Sequence, residues 1–431
     1  MKEQIVKCTE LNEQGYGVCF LQNRRYLVPN FLPGEEAKVS FFNNGFGKIT
    51  EFIKQSSDRI KAKCARFHEC GGCQLQHIPY EKQMNLKTSY VISSFQKVGM
   101  KDAIVLPVLG SKNEFNYRNK NQMVLSEKNK KVMSGFYEEF THNLVNVDEC
   151  VIQNKIANNI IRSAKQIMTK QHIVPFDEKS NQGLVKHILV RVSETTNQVL
   201  VCLVTKEEMF PGRNNFVKEL RAAHPEITTI VQNINPRHTS ILLGDLERVL
   251  YGPGYIKDEL LDKTFMISSK TFYQVNSRQT ATLYKKALEV AKPKKDEIMI
   301  DAYSGVGTIG ILFAEHVKQV FAVESNKESV KNAIMNSKLN QVSNVRFVHA
   351  DALDYMQSWV DEGNSPDILL VDPPRSGLTK PFMEKVLLMK PKKFVYISCN
   401  PETLASDVVE LVKNGYTMHA VQPVDMFPQT N

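Results

Sequence analysis

Two short segments near the C-terminal end carry residues equipped for covalent chemistry. Leu370-Val371 runs into Asp372-Pro373-Pro374-Arg375, and Tyr396-Ile397-Ser398 runs into Cys399-Asn400-Pro401. A cysteine thiolate attacks electron-poor carbon. Added at C6 of a uracil ring, it makes C5 enolate-like, and C5 can then accept a methyl group from a sulfonium donor before losing its proton and releasing the cysteine. The thiolate is the reactive form, and Arg375 and a helix beginning near Glu402 are the sources of positive potential available to it. The double proline makes a rigid, donor-poor loop that holds Asp372 in one orientation beside a flat ring. A lone cysteine at a strand end is ordinarily a buried structural thiol. Its coincidence with the Asp-Pro-Pro-Arg turn and with a glycine loop upstream reverses that expectation.

The glycine loop is Asp301-Ala302-Tyr303-Ser304-Gly305-Val306-Gly307-Thr308, where glycines allow close backbone approach before a helix begins. Glu324 ends the next apolar run and can accept two ribose hydroxyls, and Asp351, after Val348-His349-Ala350, stands where an acid meets an adenine amino group. An exposed turn aspartate is the competing reading of Asp351. Gly305, Gly307 and Gly310 also satisfy the dinucleotide spacing, so this loop alone leaves NAD and S-adenosylmethionine both open. The Asp-Pro-Pro-Arg and Ser-Cys-Asn-Pro segments have no place in hydride transfer. Methyltransferases acting on exocyclic amino groups also put an acid or amide before two prolines, but usually follow it with an aromatic; here Arg375 takes that place.

The elements that must position these residues follow from apolar runs. Glu297 to Asp301, Gln319 to Val323, Val345 to Val348, Asp367 to Val371 and Lys393 to Ser398 alternate with helical stretches, the pattern of a doubly wound parallel sheet over residues 271–431. Ligands of such sheets sit beyond the carboxyl ends of the strands. Residues 55–270 read as an α+β domain, with His187 to Val192 and Val199 to Val204 as paired strands. Tyr117-Arg118-Asn119-Lys120-Asn121-Gln122 mixes an aromatic with bases and amides that can stack on nucleobases and grip phosphates, or simply forms an exposed strand end. Residues 1–54, with Val18-Cys19-Phe20-Leu21 and Lys38-Val39-Ser40-Phe41-Phe42 between turns, read as a small β-barrel. Tyr16, Arg24, Arg25, Tyr26, Phe46 and Lys48 are its candidate RNA-facing residues.

The cysteines are uneven. Cys8, Cys19 and Cys202 stand in apolar or strand-like contexts as small hydrophobes, whereas Cys64, Cys70 and Cys73 cluster as metal ligands would. With a remote fourth thiolate they suit a four-iron cluster or a zinc ion equally. The net charge of +9 favours a polyanionic partner without requiring one. No stretch approaches the roughly 20 apolar residues that span a bilayer, and Met1-Lys2-Glu3-Gln4 lacks the apolar run of a leader peptide, so a cytoplasmic protein is expected.

Asp372-Pro373-Pro374-Arg375, Ser398-Cys399-Asn400-Pro401 and Phe272-Tyr273-Gln274-Val275-Asn276 together resemble the RNA uracil-5 methyltransferase family, over essentially the whole chain. The resemblance implies an N-terminal TRAM-like, oligonucleotide-binding barrel, a central α+β domain with a four-cysteine site, and a C-terminal Rossmann-like methyltransferase domain. It implies an S-adenosylmethionine site that includes Gln274, Tyr303, Gly305, Glu324, Asp351 and Asp372, with Cys399 as nucleophile. Cys64, Cys70, Cys73 and Cys150, including Cys70-Gly71-Gly72-Cys73-Gln74, match the iron-sulfur pattern of the ribosomal RNA branch. A [4Fe-4S] cluster in a structural role, with zinc as the lesser alternative, a uridine of 23S ribosomal RNA as substrate, and a monomer are therefore expected. Transfer RNA is the substrate of a branch that usually lacks the cluster, and a catalytically impaired RNA-binding homologue is the alternative outside enzymes. Family members continue past the equivalent of Asp425-Met426-Phe427-Pro428 to a glutamate thought to remove the C5 proton. The sequence stops at Asn431, so it is expected to be truncated or to use another group, and to turn over slowly or stall as the covalent adduct. Ser406 stands where relatives often carry arginine.

Overall fold

The computed structural model describes residues 3–139, 141, 143–237 and 241–431. Met1 and Lys2, half of the segment read against a leader peptide, lie outside the described residues.

At the N-terminus two three-stranded antiparallel sheets face each other. One consists of Glu3–Lys7, Glu36–Phe41 and Gly47–Lys54, the other of Glu10–Leu11, Gly17–Leu21 and Arg24–Val28. Alternate residues point inward, so Val6, Cys8, Cys19, Val28, Phe31, Ala37 and Val39 make the core between them. The same alternation corrects part of the expected RNA face. Tyr26 shares the inward face with Val28 and packs its ring 4.5 Å from that of Phe41. Tyr16 is buried too, its hydroxyl donating to Glu139 Oε1 at 2.7 Å. Arg24, Arg25 and Lys48 are exposed, as expected of a polar surface.

After the helix Tyr80–Lys97 comes a seven-stranded sheet, in the order Leu246–Tyr251, Ile227–Ile234, Val199–Thr205, Val185–Val192, Lys120–Lys128, Lys131–Tyr137, Leu144–Asn146. Val185–Val192 and Val199–Thr205 pair antiparallel, as their composition predicts. Val199–Thr205 is buried on every residue and Val185–Val192 on every residue but His187, because both faces are covered. Ile188, Val190, Val201 and Leu203 pack toward the helices Lys155–Lys170 and Arg213–Ala223, while Leu189, Leu200, Cys202 and Val204 share a core with Phe265, Tyr284 and Met299 of the C-terminal unit. The Tyr117 to Gln122 segment does not form an exposed platform. Tyr117, Asn119 and Asn121 are buried, the last entirely, because this strand lies inside the sheet and beneath neighbouring loops.

The C-terminal unit is a five-stranded parallel sheet in the order Val345–His349, Gln319–Glu324, Ile298–Ala302, Ile368–Val371, Lys393–Tyr396. All five apolar runs named above are strands, the last two residues shorter than its run. The order progresses outward in opposite directions from Ile298–Ala302, which puts the topological switch point between that strand and Ile368–Val371. The final segment returns to the central unit: Asp425 pairs with Lys87 at 2.6 Å, and Gln429 O accepts from the Gln74 and Leu75 amides.

Candidate active site

The loop leaving Ile298–Ala302 is held open by backbone conformations that few residues adopt. Tyr303 has φ +68°, Gly305 +56° and Gly307 +77°, and a Cβ on Gly307 would lie 2.6 Å from the Phe347 ring. Gly305 N–H donates to Glu324 Oε2 at 3.0 Å, and Asn326 N–H donates to Oε1 at 2.7 Å, so the Glu324 carboxylate is pinned at the adjacent strand end. Asp301 is fully buried. One carboxylate oxygen accepts from Gly310 N–H at 2.9 Å while Oδ1 has no partner. Burial, with the charges of Asp372 and Glu324 nearby, pushes its carboxyl up to about 8. Asp372, at the end of the neighbouring strand, is pushed up to about 6 by burial. The Tyr284 hydroxyl lies within the field of both and is bonded to the Gln274 side chain; burial raises it well above the ordinary phenol range. Gln274, Tyr284, Asp301, Glu324 and Asp372 thus gather at the switch point as an acidic cluster.

Cys399 is exposed in the loop after Lys393–Tyr396, the strand next to Ile368–Val371. It immediately precedes Asn400, which caps the helix Pro401–Lys413 by accepting from Glu402 N–H at 3.0 Å. Asn400 Nδ2 also donates to Arg375 O at 3.1 Å, and Thr403 Oγ1 donates to the same oxygen at 3.3 Å. From one turn further along the helix, Asp407 Oδ2 accepts from Leu378 N–H at 2.9 Å and from the Tyr396 hydroxyl at 2.8 Å. The Asp-Pro-Pro-Arg loop and the cysteine loop are therefore fastened as one unit. The Tyr396 hydroxyl feels both Cys399 and Tyr303, which brings the cysteine and the glycine loop into one neighbourhood.

Asp351 is exposed and caps the helix Ala352–Asp361, accepting from Leu353 N–H at 2.8 Å; it remains within electrostatic reach of Tyr303. Reading the sequence missed Asp301 as a site acid, although a carboxylate at the end of an apolar strand is a visible sign. It also missed Tyr284 and Asp407, which sit on helices and reach the site only through tertiary packing.

A second cavity, of about 300 Å³, lies in the central unit, lined by Cys64, Cys70, Cys73 and Cys150. Burial raises the thiols of Cys70, Cys73 and Cys150, the second to about 12 and the third to about 11. Among the described residues no three His, Cys, Asp or Glu side chains converge closely enough for a single metal ion. The rest of the lining is largely apolar, with Phe67, Phe136 and Val147 among it, but it also holds Arg118 and Lys120, and Gln76 Nε2, Arg118 Nε and Gln122 Nε2 are buried without partners. Four cysteines around one cavity, with unused donors and two cations beside them, fit an anionic group larger than one ion that they would bind as thiolates.

The chain matches the family model described as tRNA (uracil-5-)-methyltransferase over residues 79–431. It is 42% identical to an RNA methyltransferase of Oceanobacillus iheyensis, over 100% of this chain and 95% of that protein, and 38% identical to one of Halalkalibacterium halodurans with the same coverage. Both relatives are described as uncharacterised. Among solved structures, the tRNA (uracil-54, C5)-methyltransferase of Pyrococcus abyssi in complex with S-adenosyl-L-homocysteine superposes with a TM-score of 0.78. It is 26% identical, over 100% of this chain and 97% of that one. The acidic cluster at the switch point, the exposed cysteine on the neighbouring loop and these likenesses agree: the chain belongs to the S-adenosylmethionine-dependent RNA uracil-5 methyltransferase family.

Proposed function

We propose that the chain methylates C5 of a uridine in 23S ribosomal RNA through a covalent bond between Cys399 and C6. The observation that carries this reading is the exposed Cys399 fastened, through Asn400 and Arg375, to the loop bearing half-buried Asp372.

S-adenosylmethionine, when bound, supplies an electrophilic methyl group. Its sulfonium and ammonium charges suit the acidic cluster of Asp301, Glu324 and Asp372, where Asp301 Oδ1 and Ser304 Oγ are buried polar atoms without partners. Gln274, Tyr303, Gly305 and Glu324 hold it, with Asp351 as the contact to adenine. The target uridine leaves its stack to reach the site. Cys399 adds as thiolate to C6 and leaves C5 enolate-like; C5 takes the methyl group from sulfur, which keeps the bonding pair as a neutral thioether; solvent water then takes the C5 proton, and the C5–H electron pair restores the C5–C6 double bond as the C6–sulfur bond breaks and returns the thiolate. Asp372, in its proline-stiffened loop, orients the ring. Residues 1–54 act as a TRAM-like RNA-binding barrel, residues 55–270 as the cluster-bearing domain and residues 271–431 as the methyltransferase domain, in a monomeric cytoplasmic enzyme. Among the described residues no helix is long and apolar enough to cross a membrane.

Cys64, Cys70, Cys73 and Cys150 would hold a [4Fe-4S] cluster, which when bound cross-links the segment at 64–73 to the central sheet. Four thiols around one cavity with unpartnered donors support this, and the four-cysteine pattern is the reason to prefer ribosomal over transfer RNA. The family description and the solved archaeal relative favour transfer RNA. Incubating the protein with labelled S-adenosylmethionine and transcripts of either RNA, followed by nucleoside analysis, separates the two. 5-Methyluridine in 23S ribosomal RNA supports the proposal; 5-methyluridine in transfer RNA alone overturns its substrate, and a methylated base other than uridine overturns its chemistry.

A further inference from the structure

The thiol-lined cavity and the cofactor segment Phe272 to Asn276 are far apart in sequence, yet one strand entry touches both. Arg118 and Lys120 line the cavity, and Asn119 between them faces away from it, as strand alternation requires. Arg118 is bonded through its backbone to the loop carrying Cys150: its N–H donates to Ile152 O at 3.0 Å, and its carbonyl accepts from Asn154 N–H at 3.1 Å. One residue on, Asn119 N–H donates to Val275 O at 2.8 Å. Asn119 Nδ2 donates to Gln274 O at 3.0 Å and to Ser277 Oγ at 2.8 Å. Asn119 is buried, and Val275 itself lines the cavity. A continuous chain of hydrogen bonds therefore runs from the Cys150 loop through Arg118 and Asn119 to Gln274.

We propose that Asn119 is a positioning residue that couples the thiol-lined cavity to the S-adenosylmethionine segment, so that an intact cavity is needed for full cofactor affinity. This rests on the reading of Gln274 as a cofactor contact. The physical basis is charge. Arg118 and Lys120 are cations close to each other and to the buried Arg191, and burial together with those neighbours pushes the Lys120 ammonium down to about 8. An anionic occupant bound by the four thiolates offsets that repulsion and holds the Arg118–Lys120 backbone in place. Losing it frees the strand entry, and with it the hydrogen bonds that set the Gln274 backbone.

The test is calorimetric titration of S-adenosylhomocysteine into the full, iron-loaded chain, with RNA affinity measured in parallel by filter binding. Asn119→Ala is expected to weaken S-adenosylhomocysteine about tenfold with RNA affinity unchanged, a split that general loosening of the fold would not produce. Cys150→Ser, and Cys70→Ser in case the former does not fold, are expected to weaken it also. Combining either with Asn119→Ala should give no more than the larger single effect. Multiplying effects in the double variant overturn the coupling. So does unchanged affinity in Asn119→Ala while Gln274→Ala is weakened. If Gln274→Ala also binds normally, the cofactor reading of Gln274 fails and the coupling falls with it.

Discussion

Replacing Asp372 by asparagine should make the protein more stable and less able to bind its cofactor. No hydrogen bond among the described residues reaches the Asp372 carboxylate, and burial alone moves it from 3.8 to about 6. Each tenfold change in acid dissociation is worth about 1.4 kcal/mol, so holding this group ionised in the folded state costs about 3 kcal/mol. The folded-state value is raised, so the stability associated with the protonated acid is fully present below about pH 4 and is lost as pH rises through about 6. Asp372→Asn removes that dependence. The variant should match the native protein near pH 4 and exceed it by about 2 to 3 kcal/mol at pH 8, and removal of the neighbouring charge eases the ionisation of Asp301 in the same direction. Trp359, the single tryptophan, is buried in the core of the same α/β unit, so its fluorescence during urea titration follows this unit specifically. With a urea slope near 3 kcal/mol per molar, the midpoint should rise by about 1 M at pH 8. S-adenosylhomocysteine affinity should fall at least tenfold. A variant that is less stable at pH 8, or whose advantage is the same at both pH values, would refute the reasoning.

Gly377→Ala should destabilise the protein by about 1 to 3 kcal/mol and slow adduct formation, because φ is +75° and the new Cβ would lie 2.8 Å from Asp407 Oδ2; denaturation midpoints and adduct rates check this. Lys87→Met should cost about 3 kcal/mol, since it leaves the Asp425 carboxylate, 1% exposed, facing only the Tyr80 hydroxyl at 2.7 Å. A melting temperature within a degree of the native value would count against it. RNA affinity should fall steeply with salt, and Arg24→Ala with Arg25→Ala should lessen the slope of log affinity against log salt by about one to two.

The C-terminal sheet was legible because each strand is a short apolar run bounded by turns, and its proposed chemistry sits at or just beyond strand ends, at Glu324, Asp372 and Cys399. Paired strands in the central unit were legible for the same reason. The aromatic residues were misread. Tyr16, Tyr26 and Tyr117 are amphipathic side chains, the last two beside basic residues in sequence, yet each ring is buried, and the Tyr16 and Tyr117 hydroxyls find partners far along the chain. Composition cannot distinguish a tyrosine that stacks on a base from one that fills a core. Asn119 was read as part of a nucleobase-gripping segment and Asp407 not at all, for a related reason: their partners lie on other elements, at separations only the fold brings together. Asp351 is the intermediate case, legible as a strand-end acid and as a helix cap, and the structure gives it the cap.

The most direct measurement is to incubate the protein with S-adenosylmethionine and 23S ribosomal RNA transcript containing 5-fluorouridine, then run a denaturing gel. Fluorine at C5 cannot leave as a proton does, so a Cys399–C6 bond persists once formed. The predicted result is a protein-RNA band that survives denaturant and is missing in Cys399→Ala. A band that persists in Cys399→Ala, or no band from protein that binds S-adenosylhomocysteine and the RNA normally, would contradict the covalent account.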